Sequence, residues 1–371
     1  MTDTELSDSI LDDADLSHAE LMDSILNDTQ LNGSVLTEAN LERADLRRAR
    51  LQEAQLNKVN LSEAILNKAD FLKADLSSAK MVNADLSRAN FKNANMSGAD
   101  LSDSKLSIAI FFETNLRDAR LVRADARGAK MAAADLNNAA LTRVDFTGAD
   151  LTEAKITQSD VTLAKFNGAI LRRASLEGSD LSECNLDIAD LNNAILIKTN
   201  LEGSHMNRAK LNEANLQGAR MRGTNLSRAK LGNANLAGVD LSDSNLEGAN
   251  LNGANLEGTD LSRTHSPEAV LEGAAMKNAR LTGANLRKAR FYQTNLEGAD
   301  FAGANLKESS MEESILKNAD LHYTALDKAN LSQADLTQAN FSGAKLVESI
   351  LKGAKKEGAN FEGADLTDVK E

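Results

Sequence analysis

Proline, cysteine and aromatic residues are scarce in this sequence. Its 371 residues include one proline, one cysteine and no tryptophan, and only 3% are Phe, Trp or Tyr. A single cysteine excludes an intramolecular disulfide framework. The shortage of large rings favours a narrow core built from Leu and Ala.

Long apolar runs are missing as well. No stretch approaches the roughly 20 apolar residues of a transmembrane helix, so we expect no membrane insertion. The start of the chain, MTDTELSDSI, has neither the basic region nor the apolar region of a secretory signal peptide. We therefore predict a cytoplasmic location.

The motifs of enzymes and cofactor sites are absent too. Neither of the phosphate-binding patterns GxGxxG and GxxxxGK[ST] occurs. His18, His205, His265 and His322 are scattered along the chain, and their spacing does not suggest a shared metal ion. Ser and Asp recur at so many fixed positions that an apparent catalytic triad is expected by chance. We predict no enzyme activity, no cofactor and no metal site.

What the sequence does contain is a five-residue periodicity. Leu, Ile, Val, Met or Phe occupies every fifth position from Leu6 to Leu366, except at Ala126, Ser266 and Lys356. Two places before each of these positions, a second track carries only Ala, Ser, Thr, Val or, once, Cys. The phase never slips, so residues 1–371 are predicted to form a single repeat domain without inserted loops.

A spacing of five suits neither a straight helix nor a flat strand. Each residue of an α-helix turns by about 100°, so the leucines would be spread over every face. In a flat strand, side chains alternate between two faces, so successive leucines would point in opposite directions. A chain that turns a corner every five residues keeps both apolar tracks inside. Four right-angle corners would close a coil, and the whole chain would form about 18 coils of four pentapeptides each.

Three further features of the sequence bear on this coil. All glycines except Gly232 lie two places after the large apolar residue, where a tight turn needs a positive φ. Phe71, Phe91 and Phe111 are one coil apart, so their rings should stack in the interior. At Ser266 and Pro267 we expect a local bulge, because proline has no N–H to donate to the next coil.

The repeated motif A-(D/N)-L-x-x, as in 39–43 (ANLER) and 364–368 (ADLTD), resembles the pentapeptide-repeat family. The resemblance covers essentially the whole chain. It implies an all-β fold, the right-handed quadrilateral β-helix, which is a solenoid. It also implies a possible partner, because the best-understood members mimic B-form DNA, bind DNA gyrase and modulate quinolone sensitivity.

The net charge of −13 is concentrated at the N-terminal end. Residues 1–40 contain no Lys or Arg, and beyond them acids and bases nearly balance. We interpret this end either as a coil edge protected by charge repulsion or as a docking surface for a basic partner. The candidate docking residues are Asp3, Glu5, Asp8, Asp12, Asp13, Asp15, Glu20, Asp23 and Asp28.

The segment 108–112 (IAIFF) departs from the usual polar exterior. Phe111 is in phase with the inward track, whereas Ile108, Ile110 and Phe112 occupy outward positions. Adjacent exposed apolar side chains often mark a contact surface. These three residues are therefore a candidate patch for a protein partner or for a second copy of the chain, and the coil ends are another candidate for self-association.

Two functional hypotheses follow. The first is a non-enzymatic scaffold whose regular faces bind another protein. The second, implied by the family resemblance, is a DNA mimic that binds DNA gyrase or a related topoisomerase. Direct nucleic-acid binding is not expected, because no net basic stripe is present. Asp pairs one coil apart, such as Asp240 with Asp260, could in principle hold Ca²⁺, but Asp is the family's usual outward residue.

Overall fold

The computed structural model describes residues 3–371. It contains two compact units, Met1–Ala189 and Asp190–Glu371. Within each unit the chain winds as a right-handed quadrilateral β-helix. This confirms the predicted fold, while the single domain over residues 1–371 stays a prediction.

The sides of the coil are very short. Among residues 3–371 there is no helix, and every strand is one bridge residue long. Each bridge is parallel and joins a residue to its counterpart one coil later, from Glu5↔Ile25 to Lys165↔Asn185 in the first unit. In the second unit the ladder runs from Asp190↔Lys210 to Ile350↔Lys370. Because the repeat keeps its phase, every coil presents four outward bridge residues.

Three of the five backbone N–H groups in a repeat hold neighbouring coils together. In the repeat 99–103, the N–H groups of Asp100, Leu101 and Asp103 donate to carbonyl groups of adjacent coils at 2.9, 2.7 and 2.9 Å. The same three positions donate in most repeats of both units. These bonds satisfy backbone groups that burial would otherwise leave unpaired.

The other two N–H groups are satisfied locally. Ser104 N–H donates to the carbonyl oxygen of Leu101 at 3.2 Å and closes the turn. Ser102 N–H donates to the Asp100 carboxylate, with N and Oδ1 3.0 Å apart. The Asp or Asn before the leucine therefore accepts the one N–H that the coil cannot use, which is a physical reason for the D/N of the motif.

Every corner places its second residue in the left-handed region. The φ angle of this residue lies near +60° whether it is glycine, as at Gly98 (67°), or not, as at Asp103 (59°). With the preceding residue at negative φ, this is the signature of a type II turn. The glycine positions thus confirm the predicted turn, and the same conformation is imposed on charged and apolar residues as well.

The two inward tracks form the core. Away from the first and last coils, the large apolar track and the small track are buried throughout. Phe71, Phe91 and Phe111 stack with ring centroids 4.9 and 5.0 Å apart, as predicted. The interior is therefore filled with side chains, in line with the close packing of protein interiors.

The bulge predicted at Ser266 and Pro267 is wrong. The coil is regular there, with a turn at 267–268 and the bridge His265↔Asn285 intact. Pro267 occupies the corner position whose N–H takes no part in the backbone ladder between coils, so its missing donor costs no ladder bond. Its carbonyl oxygen still accepts a bond from Gly248 N–H at 2.9 Å.

Candidate functional site

The predicted apolar patch lies on one face of the first unit. Ile110 is the outward bridge residue of that face, and Ile108 and Phe112 lie at the corners that border it. Ile108 is 47% exposed and Phe112 is 37% exposed, while Ile110 is half-buried. The structure therefore brings the three predicted residues together in one row across the coil.

Ile108 pays a conformational cost for its place in the patch. Its φ is +60°, a region that β-branched residues rarely adopt because Cβ approaches the backbone too closely. In the next coil the equivalent residue is Gly128, and Ile108 Cγ1 lies 3.7 Å from the point where a Cβ on Gly128 would be. A glycine or a polar residue would fit this corner better than isoleucine on both conformational and solvation grounds.

Phe112 has a cation over its ring. The Lys92 ammonium lies 5.3 Å from the ring centroid, which is within the range of a cation–π interaction. Ala132 and Ala133 occupy the equivalent corner of the next coil and are half-buried. The patch therefore has an apolar centre with a positive charge at its edge.

The acidic N-terminal end contains two kinds of carboxylate. Asp23 and Asp28 form ion pairs with arginines of the next coil. The Asp23 carboxylate binds Arg43 through two bonds of 2.7 Å, and Asp28 binds Arg48 in the same way, with Oδ1 and Nε 2.7 Å apart. A basic partner would have to compete with these arginines, so the two residues are weaker docking candidates than the rest.

The other acids lie toward the first coil. Glu5 and Asp15 accept bonds from the backbone N–H groups two residues ahead, both at 3.0 Å. Asp12 Oδ1 accepts the Asn32 N–H at 2.8 Å. Asp12 and Asp13 also border a surface hollow of about 380 Å³. The remaining predicted residues Asp3, Asp8 and Glu20 carry no ion pair with another described residue.

Hydrogen bonds hold several of these carboxylates in the charged form. The Arg48 guanidinium lowers the pKa of Asp28 to about 2, with help from the Asn27 amide. The bond from Arg43 lowers the pKa of Asp23, and the bonds from Ser7 and Ser17 lower those of Glu5 and Asp15. At neutral pH these acids are therefore ionised.

Sequence reasoning missed the ion pairs between coils. The second corner residue of one coil lies beside its counterpart in the next, so opposite charges twenty residues apart meet. Besides the two pairs at the acidic end, examples are Glu38–Lys58, Glu53–Lys73, Asp103–Arg123 and Asp243–Arg263. The signal was present in the spacing, because a corner column places every twentieth residue together.

The structure places no metal-ligand cluster among residues 3–371. The Asp pairs Asp160–Asp180, Asp240–Asp260 and Asp300–Asp320 are indeed neighbours across the ladder. Cys184 is buried on the small track, and burial raises the pKa of its thiol to about 12, so the thiolate is scarcely populated at neutral pH. The described residues contain no helix with the length and apolar character needed to span a bilayer.

Two apolar hollows lie at the first and last coils that the structure describes. One, of about 340 Å³, is lined by residues that include Leu6, Leu11 and Leu16. The other, of about 290 Å³, is lined by residues that include Lys356 and Phe361. The Lys356 ammonium is paired with Glu371 at 2.6 Å. The predicted self-association through coil ends would use these surfaces, and it stays a prediction.

Comparison with known proteins gives a direct family match. The family model described as "Pentapeptide repeats" matches most of the chain. The matched residues are 1–37, 24–62, 34–72, 69–107, 109–148, 149–187, 184–223, 224–263, 268–301, 294–333 and 314–353. No curated protein sequence matches the chain.

Solved structures of several repeat proteins are similar to parts of the chain. HetL, a pentapeptide repeat protein involved in heterocyst differentiation regulation from the cyanobacterium Nostoc sp. strain PCC 7120, is 30% identical. The match covers 60% of this chain and 90% of HetL, with a TM-score of 0.28. Rfr23, a pentapeptide repeat protein from the cyanobacterium Cyanothece 51142, is 35% identical over 28% of this chain and 62% of its own, with a TM-score of 0.14.

QnrB1, a plasmid-mediated fluoroquinolone resistance protein, is 16% identical. That match covers 42% of this chain and 82% of QnrB1, with a TM-score of 0.24. TM-scores this low carry no argument about function, and the assignment depends on the family model. Because that model matches well over half of the sequence, the chain belongs to the pentapeptide-repeat family.

Proposed function

We propose that this protein is a non-enzymatic scaffold that binds another protein through the row Ile108, Ile110 and Phe112. One observation carries the proposal. Ile108 is a β-branched residue at φ +60° with 47% exposure, so it is unfavourable both for the backbone and for solvation. Ile188 has the same combination at φ +62° and 60% exposure, but unlike Ile188, Ile108 lies in a row with two further outward apolar residues. Costs of this kind persist where function requires the residue, and a contact surface is the function that an exposed apolar row suits.

The filled interior supports the same proposal. The coil exposes its outward faces and corners, and the inward tracks are buried in all but the terminal coils. Small-molecule sites are usually concave pockets of about 300–1,000 Å³. The row at Ile108–Phe112 consists of side chains on an outward face and its two corners, which suits a protein better than a small ligand.

The test is capture by a photocrosslinking residue beside the row, at the exposed Glu113, followed by mass spectrometry. We expect one partner to be enriched by the natural sequence, to be lost with Phe112→Ser and to be retained with Tyr323→Ser. Tyr323 is a matched control, because it is an aromatic residue with 75% exposure in the other unit. Phe112→Ser should leave the unfolding midpoint nearly unchanged, since the ring is partly exposed. Capture that survives Phe112→Ser would reject the proposal.

The second candidate function is DNA mimicry toward a topoisomerase. The adjacent residues Asp240 and Asp260 favour it, whereas the concentration of net charge at the N-terminal end counts against a mimic that should be acidic along its length. A gyrase supercoiling assay with and without a quinolone tests this candidate. Inhibition or protection that disappears in the double variant Asp240→Asn/Asp260→Asn would support it, and the absence of any effect at high protein concentration would exclude it.

A further inference from the structure

The apolar row is the first row of a larger surface that is complementary to itself. Four successive coils contribute three outward columns to this surface, which we call the 108–172 face. The first corner column is Ile108, Gly128, Gly148 and Gly168. The central column is Ile110, Lys130, Asp150 and Ile170, and the second corner column is Phe112, Ala132, Thr152 and Arg172.

The central column is complementary to its own reverse, because reversal places a cation opposite an anion and isoleucine opposite isoleucine. Isoleucine stands at each end, and a cation and an anion stand between them. If a second copy is turned by 180° about an axis that passes between Lys130 and Asp150, the coils run antiparallel. Ile110 then faces Ile170, and Lys130 faces Asp150, and each pairing occurs twice.

The two central charges are available for such pairing. No hydrogen bond or ion pair joins the Lys130 ammonium to another described residue. Within residues 3–371, the Asp150 carboxylate accepts bonds only from Thr152, at 3.0 Å from its N–H and 2.6 Å from its hydroxyl. In an antiparallel copy, Lys130 faces Asp150, and this attraction fixes the register. In a parallel copy, Lys130 would face Lys130, and the like charges would repel each other.

The glycine corners provide room for the exposed isoleucine. A Cβ added at Gly148 or Gly168 would meet no atom within 4 Å, so this edge of the face is open. In the antiparallel arrangement, the same corner columns face each other, and Ile108 of one copy lies against Gly168 of the other. The side chain of Ile108 would thus occupy the space that is open because Gly168 has no side chain.

We propose that the 108–172 face binds the same face of a second copy of the chain, antiparallel and with two-fold symmetry. This inference rests on the proposed function, because it names the partner of the same apolar row. Four coils at about 4.8 Å form a strip only about 19 Å long. A side of five residues is at most about 17 Å wide, so the strip covers about 320 Å². This area is smaller than the roughly 800 Å² per partner of a standard interface, so the dimer should be weak and crosslinking is the most sensitive assay.

The experiment mixes an Ile110→Cys protein with a differently tagged Ile170→Cys protein and adds a short bismaleimide. We expect a covalent heterodimer in the mixture and almost none with either variant alone, because like positions would lie about 14 Å apart in the dimer. The unmodified chain is the background control, since Cys184 is buried. Ile65→Cys, on another face, mixed with Ile110→Cys is the negative control.

Charge reversal provides a second measurement. Lys130→Asp and Asp150→Lys should each lower the crosslinking yield at least tenfold, and the double variant should restore it to within about threefold. Both substitutions lie outside the core, so folding can be verified by circular dichroism. Crosslinking of Ile110→Cys to itself, equal yields in all mixtures, or failure of the double variant to recover would overturn the dimer.

The outcome separates this inference from the proposed function. If a different protein is captured in a Phe112-dependent manner and no Ile110–Ile170 crosslink forms, then the scaffold proposal stands and the self-complementary dimer is wrong. If the crosslink forms and no other protein is captured, the row serves self-association. If neither occurs, both proposals fail.

Discussion

At the residue scale, the physical role of each position explains the consensus sequence of the repeat. The small residue and the leucine fill the interior, the second corner residue takes a positive φ, and the Asp or Asn before the leucine accepts the N–H of the first corner residue. Where this position is not Asp or Asn, a side chain one coil below can accept instead, as Asn32 Oδ1 does from Gln52 N–H at 3.2 Å. Each preference of the motif thus has one physical cause.

Asp335 allows this account to be tested at one position. Its carboxylate accepts bonds from Thr337 N–H at 3.1 Å and from the Thr337 hydroxyl at 2.6 Å, and these bonds lower its pKa. Asp335→Ala should reduce the free energy of unfolding by about 1 kcal/mol, because the turn loses its acceptor. Asp335→Asn keeps an acceptor oxygen and should change it by less than about 0.5 kcal/mol. Urea denaturation of the two variants provides the comparison, and equal losses would contradict the proposed role.

Ser266 is a second position where the core can be tested. It interrupts the leucine track, is 2% exposed, and its hydroxyl has no hydrogen-bond partner among the described residues. A cavity of only about 10 Å³ lies beside it, so the surrounding leucines have closed around the small side chain. Ser266→Ala should raise the free energy of unfolding by about 1 kcal/mol, because it removes a buried hydroxyl that has no partner. Ser266→Leu should lower it by about 1–3 kcal/mol, because no room is left for a larger side chain. Calorimetry that shows Ser266→Ala to be destabilising, or Ser266→Leu to be stabilising, would contradict this description of the site.

At the scale of the element, the corner columns place oppositely charged residues of successive coils side by side. Asp28 and Arg48 illustrate the rule, since their pairing holds the pKa of Asp28 at about 2 against an ordinary value of 3.8. A carboxylate with a lowered pKa in the folded chain stabilises that chain above the unfolded pKa. This contribution is lost as the pH falls from about 4 toward 2.

Arg48→Gln should remove this pH-dependent contribution to stability. At pH 6 the variant should unfold at a lower temperature than the natural sequence, and the difference should shrink below pH 4 and disappear near pH 2. Arg50→Gln is the control, because Arg50 forms no ion pair with another described residue. Thermal unfolding followed by circular dichroism provides the measurement. A difference that stays constant from pH 6 to pH 2 would exclude the ion pair as its source.

Much of this element could be predicted from the sequence, because a five-residue phase leaves few choices for the backbone. The ring stack of Phe71, Phe91 and Phe111 followed directly from the spacing. The error at Pro267 came from treating every N–H as part of the ladder between coils. The ion pair of Asp23 with Arg43 was missed because the acids of residues 1–40 were considered without the coil stacked on them.

At the scale of the molecule, different residues determine stability and recognition. The inward tracks and the coil ladder repeat throughout both units, whereas the outward residues vary from coil to coil. Such an architecture tolerates changes on its faces, since each coil is stabilised mainly by its neighbours. The partner is the property that the sequence specifies least, because exposed positions are not restricted by the packing that determines the fold.

Ile108 should therefore contribute to contact at the expense of the stability of the chain. Ile108→Gly removes a β-branched residue from φ +60° and should raise the free energy of unfolding by about 0.5–1 kcal/mol. Ile65→Gly is the control. It has similar exposure, 40%, but a negative φ, so the substitution should destabilise the chain by about 0.5–1 kcal/mol.

The decisive measurement pairs chemical denaturation of Ile108→Gly with its yield in the Ile110–Ile170 crosslink and in partner capture. We predict a more stable protein that binds at least tenfold less of whichever partner the natural sequence binds. A variant that is less stable, or one that binds as well as the natural sequence, would contradict the claim that this corner exists for recognition.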